Sequence, residues 1–174
     1  MSNELEKTIK DFIKEISKYP KGFHALYPGL GDKEIQQLEE DLQLSIPIFF
    51  KEVLKQFNGA TLFSCDVEIW GIIRKSLSKS DNPAYDIVEQ NLLMHQQGLL
   101  PSSYMVIGNY SYGSLICLDL SEVSTTDCSV VEWEVDSGTG TRTWGSTQKW
   151  LLSELKEGQN LFNYDGTEKA ESTE

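Results

Sequence analysis

The hydrophobic pattern of the chain changes from a helical period to a strand period near Gly59. Before this point, apolar residues recur every three or four positions at 5–19, 33–44 and 47–57, which is typical of amphipathic helices. Beyond it, apolar and polar residues alternate at 66–70 and 130–136, as in strands. Two largely apolar runs, at 104–110 and 114–120, flank a turn and also read as strands. Helical patterns return at 83–97 and 147–157. Strands between terminal helices predict an α+β fold. We expect one antiparallel or mixed sheet of about four to six strands flanked by helices.

Short signals set the ends of several elements. Asp32 and Ser146 are suited to N-cap the second and last helices, and Pro47 suits the first position of the third. The pair 58–59, Asn-Gly, and Gly158 predict the ends of two helices. The turn 111–113 predicts a hairpin, and the Gly-rich turn 138–140 allows 141–144 to pair back. We expect one domain over 1–160 and a disordered acidic tail over 161–174.

The charge of the chain restricts its partners. Its 27 Asp and Glu outnumber 15 Lys and Arg, which gives a net charge of −12. Nucleic acid and anionic membranes would be repelled, and a basic protein would be attracted, although acidity by itself is better explained by simple solubility. The apolar runs are too short to span a bilayer, and the N-terminal segment lacks the apolar core of a signal peptide. We therefore expect a cytoplasmic protein.

Catalytic and metal-binding patterns are weak. His24 and His95 belong to no nucleophile motif. The three cysteines are odd in number and widely spaced, so neither a disulfide framework nor a zinc site is predicted. Paired carboxylates two residues apart are more typical of a solvated strand face than of acid–base chemistry. We expect a protein that is not an enzyme and that uses no cofactor or metal.

Acidic residues concentrate in the strand-rich part of the chain. Residues 1–60 have a net charge of −2, whereas residues 61–174 have a net charge of −10. On strand 130–136, alternation predicts that Val131, Trp133 and Val135 face inward and that the acids face outward. Trp70 is either an exposed anchor of this acidic surface or part of the core, and the sequence favours neither. Tyr110 and Tyr112, at the hairpin turn, are further candidates for partner binding, although packing within the turn would also explain their presence. The candidate partner-binding residues are Asp66, Glu68, Trp70, Tyr110, Tyr112, Asp119, Glu132, Glu134 and Asp136.

Three segments together resemble a known family. The first is Gly31-Asp32-Lys33-Glu34-Ile35-x-x-Leu38-Glu39-x-x-Leu42, followed by Ile46-Pro47-x-x-Phe50-Lys51-x-x-Leu54 and Asn58-Gly59. The second is Met105-Val106-Ile107-Gly108, then Gly113 and Ile116-Cys117-Leu118-Asp119. The third joins Trp133, a Gly-rich turn and Trp144-Gly145-Ser146, with Arg142 as the basic residue after the acidic strand. Over residues 25–157, this order resembles the Smi/Knr-type branch of the SUKH superfamily.

The resemblance implies a compact α+β fold and a protein-binding role. Bacterial members look like immunity proteins that neutralise a cognate toxin domain, often a nuclease, and eukaryotic relatives look like regulators of cell-wall assembly. The expected partner is therefore a toxin domain with a basic, nuclease-like groove, bound by a monomer or weak homodimer. The alternative is a regulatory scaffold of the cell-wall-assembly kind.

Overall fold

A computed structural model describes residues 2–121 and 126–170 of the chain. Within these ranges the helices are α1 (Ser2–Ile16), α2 (Asp32–Leu42), α3 (Ile48–Gln56), α4 (Ile87–Gln96) and α5 (Thr147–Leu161), with a short 3₁₀ turn at Lys79–Asp81. The strands are β1 (Ala25–Pro28), β2 (Phe57–Leu62), β3 (Val67–Ile69), β4 (Tyr104–Tyr110), β5 (Leu115–Asp119), β6 (Val130–Glu134) and β7 (Thr139–Trp144).

The sheet is an antiparallel meander in which every strand pairs with its neighbours in sequence, in the order β1 to β7. The α+β class with one antiparallel sheet is confirmed. The described part of the chain forms seven strands, however, rather than four to six. Two of these strands were missed because β1 has no clear alternation and β2 follows α3 without a linker.

Helix α3 ends at Gln56, close to the predicted stop, but the pair 58–59 does not cap it, because Phe57 is the C-cap and both residues lie in β2. Asn58 is buried, and its side-chain amide bonds the backbone N–H and C=O of Ile72, each at 2.7 Å. Gly59 has φ +85°, and a Cβ there would stand 2.7 Å from the carbonyl oxygen of Ile69. The pair therefore allows a close backbone approach between β2 and the chain around β3.

The core lies between the helices and the sheet. Helices α1, α3 and α5 contact one another, and α3 and α5 also contact strands. Their fully buried side chains include Phe12, Phe50 and Trp150. Helix α4 contacts β4 and α2. The burial of these apolar side chains is the main contribution to the stability of the fold.

The predicted helix ends are partly confirmed. Ser146 caps α5, because its Oγ accepts a hydrogen bond from the Lys149 N–H at 3.1 Å. The N-cap residue of α2 is Gly31 rather than the predicted Asp32, which is the first residue of the helix. Helix α4 starts at Ile87, not near Pro83, because Asp86 accepts hydrogen bonds from the N–H groups of the first turn.

The C-terminal segment continues beyond α5. The Lys169 N–H donates to the Leu161 carbonyl at 2.7 Å, and the Asn163 N–H donates to the Thr167 carbonyl at 2.8 Å. Residues 162–168 thus form a tight turn inside the range for which a disordered tail is predicted, and residues 171–174 of that range lie outside the described residues.

The meander brings alternate turns to the same end of the sheet. Val67 pairs with Tyr110, and Leu115 pairs with Trp133. The β2–β3, β4–β5 and β6–β7 turns therefore lie side by side. We call this end, formed by residues 63–66, 111–113 and 134–138, the turn edge. Successive turns on it are roughly 10 Å apart, since two strand spacings separate them.

Candidate protein-binding site

The turn edge carries four of the predicted partner-binding residues. Asp66 ends the β2–β3 turn, and Tyr112 lies in the β4–β5 turn. Glu134 is the last residue of β6, and Asp136 lies in the β6–β7 turn that follows it. Tyr112 is 66% exposed, an unusual position for a large aromatic ring, and Glu134 and Asp136 are also exposed. The sequence analysis placed the three acids on two strands that are far apart in the chain and Tyr112 in a turn, and the meander brings all four to one edge.

A cleft of about 240 Å³ opens beside these turns. One wall comes from the β2–β3 and β4–β5 turns and includes Phe63, Asp66 and Tyr112. The opposite wall is the C-terminal half of α5, with Glu157 and Leu161. The cleft therefore combines apolar surface with carboxylates, which suits the recognition of an amphipathic side chain.

Arg142 of β7 is surrounded by carboxylates in this cleft. Its Nη1 lies 3.0 Å from Glu157 Oε1, its Nε lies 3.4 Å from Glu132 Oε2, and its Nη2 lies 3.8 Å from Glu154 Oε1. The Nε approach to Glu132 is an ion-pair contact without hydrogen-bond geometry. The guanidinium also lies 4.3 Å from the centre of the Trp144 ring. One cation is thus shared by three acids and held against an aromatic face.

Glu154 forms the buried floor of the cleft, with 3% of its surface exposed. The Tyr110 hydroxyl donates to its Oε1 at 2.5 Å, and the Trp150 indole N–H donates to the Tyr110 hydroxyl at 3.3 Å. Burial raises the pKa of Glu154 to about 7, and repulsion by Glu157 adds to the rise, although Tyr110 and Arg142 oppose it. The charge of the cleft therefore changes near neutral pH.

Tyr112 stands at the mouth of the cleft on top of Tyr110. The two rings are nearly parallel, with centroids 5.1 Å apart. The Tyr112 hydroxyl donates to Glu132 Oε1 at 3.0 Å, and burial together with this hydrogen bond raises the pKa of Tyr112. These contacts fix the orientation of an exposed ring, which lowers the entropy cost of using it in an interface.

Glu132 is buried, so the predicted outward orientation of this residue is wrong. It pairs across the sheet with Arg142 and with Ile116, on the face that α5 covers. Val131 on the opposite face is buried as well. Because both faces of β6 are covered, the alternation of apolar and acidic residues did not separate core from surface.

Trp70 is also buried, at 3% exposure, which is the core alternative given for it. Its indole N–H donates to Asn109 Oδ1 at 2.7 Å, and Tyr85 packs against its ring. Glu68 is half-buried opposite Asn109, and burial raises the pKa of its carboxyl. Strands β4 and β5 separate β3 from β6. The acids of β3 and β6 therefore do not form one continuous acidic surface. The acids that lie near one another are those of the turn edge.

Asp119 lies at the opposite end of the sheet, where β5 ends. Its carboxylate accepts hydrogen bonds from the N–H and hydroxyl of Ser121, at 2.9 and 2.6 Å. Asp119 is therefore separate from the cleft.

Sequence reasoning missed Glu154 and Glu157 as site residues. A signal was present, because both follow Trp150 at helical spacing, at positions four and seven residues later. An acid on the same stripe as buried apolar residues of α5 indicates a buried, partnered carboxylate.

The described part of the chain shows no metal centre, and the buried thiol of Cys117 is not suited to act as a nucleophile. No group of three or more His, Cys, Asp or Glu side chains is arranged there to hold a metal ion. Cys117 is fully buried, and burial raises the pKa of its thiol, which keeps the group protonated. Of the helices described, none has the length and apolar character needed to cross a bilayer.

Comparison with known proteins identifies the family. A model described as the SMI1 / KNR4 family (SUKH-1) matches residues 29–153, and a comparison with curated proteins found no match. The family match runs from just after β1 into α5, includes every turn of the turn edge, and confirms the resemblance to the Smi/Knr-type branch. Because this match covers most of its length, the chain belongs to the SMI1 / KNR4 (SUKH-1) family.

Proposed function

We propose that this protein is an immunity-type binding protein that neutralises a cognate toxin domain, a basic nuclease domain in particular, in the cytoplasm. It acts by direct binding through the turn edge rather than by catalysis, as a monomer or weak homodimer. The observation that carries the proposal is the exposed ring of Tyr112, whose hydroxyl is held by Glu132. The ring lies between Asp66 on one side and Glu134 and Asp136 on the other.

The chemistry of the turn edge is complementary to that of a nuclease. A nuclease must attract phosphate groups, so its substrate groove is basic. An acidic edge with a rigid aromatic residue can occupy such a groove, because tyrosines are frequent hot spots and their neighbours set charge complementarity. The net charge of −10 over residues 61–174 would further steer the two proteins together.

Charge reversal at the turn edge provides the test. Glu134 and Asp136 are exposed, so Glu134→Lys/Asp136→Lys should leave the fold intact. The matched control is Glu40→Lys/Asp41→Lys, two exposed acids on α2. The wild-type protein and the control should rescue growth when co-expressed with toxin domains encoded beside the gene. With the purified toxin domain, the turn-edge variant should associate roughly tenfold more slowly at low salt and depend less on salt.

Two results would contradict this proposal. Failure of the wild-type protein to rescue growth against any neighbouring toxin domain would remove the immunity function and favour the regulatory scaffold. Equal association rates for the turn-edge variant and the α2 control would remove the turn edge as the contact surface.

A further inference from the structure

The cleft contains more negative than positive charge. Glu132, Glu154 and Glu157 all approach the single guanidinium of Arg142. Asp66 adds a fourth carboxylate to the lining, and its side chain makes no hydrogen bond or ion pair within the described residues. Since carboxylates so close together repel one another, the cleft is electrostatically suited to receive a second cation.

The walls of the cleft indicate what kind of cation fits. Phe63, Val67 and Leu161 provide apolar surface, and the ring of Tyr112 stands exposed at the mouth. A small hydrated metal ion would gain nothing from such walls. A long side chain with an aliphatic stem and a cationic end would bury its stem against them and place its charge among the carboxylates. The volume of about 240 Å³ has room for the end of one such side chain.

We infer that the cleft is an anchor pocket for one arginine side chain of the partner protein, whose guanidinium stacks on Tyr112 and bridges Asp66 and Glu157. This inference rests on the proposed function, and it names the chemistry by which the turn edge recognises its partner. Arginine suits the site better than lysine, because a planar guanidinium can stack on a ring and bond two carboxylates at once. Arg142 already combines these two contacts, with its guanidinium carbon 4.3 Å from the centre of the Trp144 ring and its Nη1 paired with Glu157.

A proton on Glu154 would compete with the incoming arginine. The groups that bear on the charge of Glu154 are Tyr110 of β4, Arg142 of β7, and Trp150 and Glu157 of α5. Glu132 of β6 and Tyr112 of the β4–β5 turn belong to the same cluster, because Glu132 approaches Arg142 and accepts a hydrogen bond from the Tyr112 hydroxyl. A second cation stabilises the carboxylate form and lowers its pKa, so binding releases a proton. The affinity for arginine should therefore rise as the pH increases through about 7.

The test uses the full chain and a small probe, N-acetyl-arginine methylamide, in an NMR titration. We expect millimolar binding, with shifts centred on Tyr112, Gly113 and Gly158. The citrulline analogue, a neutral isostere, should not bind, and the lysine analogue should bind more weakly. Asp66→Asn should weaken arginine binding about fivefold, whereas Asp41→Asn, at an exposed position of α2 away from the cleft, should leave it unchanged. Glu154→Gln should remove the rise in affinity between about pH 6 and 8.

Other outcomes would overturn the inference. Equal binding of the arginine and citrulline probes would exclude a cation site, and tighter binding of lysine would assign a different occupant. Equal effects of Asp66→Asn and Asp41→Asn would show attraction by general acidity only. The proposed function fails separately. Arginine binding without growth rescue would refute the immunity role alone, and rescue without arginine binding would refute the anchor pocket alone.

Discussion

Gly158 illustrates how one residue fixes the shape of the cleft. It lies inside α5, and a Cβ at this position would stand 2.1 Å from the ring atoms Cε1 and Cζ of Phe63. Phe63, Ser64 and Cys65 all have positive φ, at 49°, 57° and 78°. This left-handed turn directs the Phe63 ring into the gap on the helix and brings Asp66 beside the cleft.

Replacing Gly158 with alanine should therefore destabilise the protein. In an exposed helix, alanine stabilises the folded state by about 1 kcal/mol relative to glycine. Here the clash with Phe63 should outweigh that gain, so that the free energy of unfolding falls by about 1–3 kcal/mol. Urea unfolding measures the difference. The control is Gly145→Ala, where a Cβ meets nothing closer than Lys149 Nζ at 3.9 Å, so the change should stay within about 0.5 kcal/mol. Greater stability of Gly158→Ala would show that the Phe63 ring moves freely.

For single residues, the sequence predicts those features that depend on residues close by in the chain. The Ser146 cap and the positive φ of Gly113, at 102°, follow from local backbone chemistry. The roles of Gly158 and Glu132 depend on partners elsewhere in the chain. From the sequence alone, Gly158 predicts a helix end. The reason for a glycine inside α5 is its contact with Phe63, which is distant in sequence and therefore invisible to local patterns.

The docking of α4 onto β4 depends on a polar side chain. Strand β3 pairs only with residues 108–110 of β4, so the backbone of Val106 has no strand partner on that side. Asn91 supplies one: its Oδ1 accepts from the Val106 N–H, and its Nδ2 donates to the Val106 carbonyl, both at 2.8 Å. His95 lies 2.8 Å from the Tyr104 carbonyl through its Nε2, one pleat further along. The helix thus takes the place of a longer β3.

Asn91→Leu should cost about 2–4 kcal/mol, because the N–H and C=O of Val106 would stay buried without partners. Leucine is similar in size, so the loss would reflect hydrogen bonding rather than a cavity. Asn160→Leu, at an exposed position of α5, is the matched control and should change stability by less than about 0.5 kcal/mol. Equal free energies of unfolding for the two variants would mean that water or a shifted backbone satisfies Val106.

Periodicity predicts the elements well where they are long and covered on one face. Helices α1, α2 and α3 and the β4–β5 hairpin were predicted close to their observed positions. Strand β1 has four residues, and β2 begins directly where α3 ends, so neither offered a separate pattern. Their pairing depends on distant residues such as Thr61 and Ile69, which no local pattern specifies.

The whole domain is larger than the part that identifies its family. The family match covers residues 29–153, whereas α1 lies before it and the second half of α5 lies after it. Yet Ile9 and Phe12 of α1 are fully buried, and Gln148 of α5 donates to Thr8 of α1 at 2.9 Å. Because α5 forms one wall of the cleft, α1 supports the candidate site indirectly by packing against α5.

Phe12→Ala should therefore destabilise the whole molecule, although the residue lies outside the family match. Phe12 packs against Phe57 at the start of β2, with ring centroids 6.4 Å apart, and truncation of such a core phenylalanine costs about 3–5 kcal/mol. The control is Leu152→Ala on α5, which is 43% exposed and should lose less than about 1 kcal/mol. Urea unfolding followed by tryptophan fluorescence should show a single shifted transition, because α1, the sheet and α5 share one core. A separate early transition that leaves the rest folded would instead show that α1 is an appendage, and the cleft would then have to hold its shape without it.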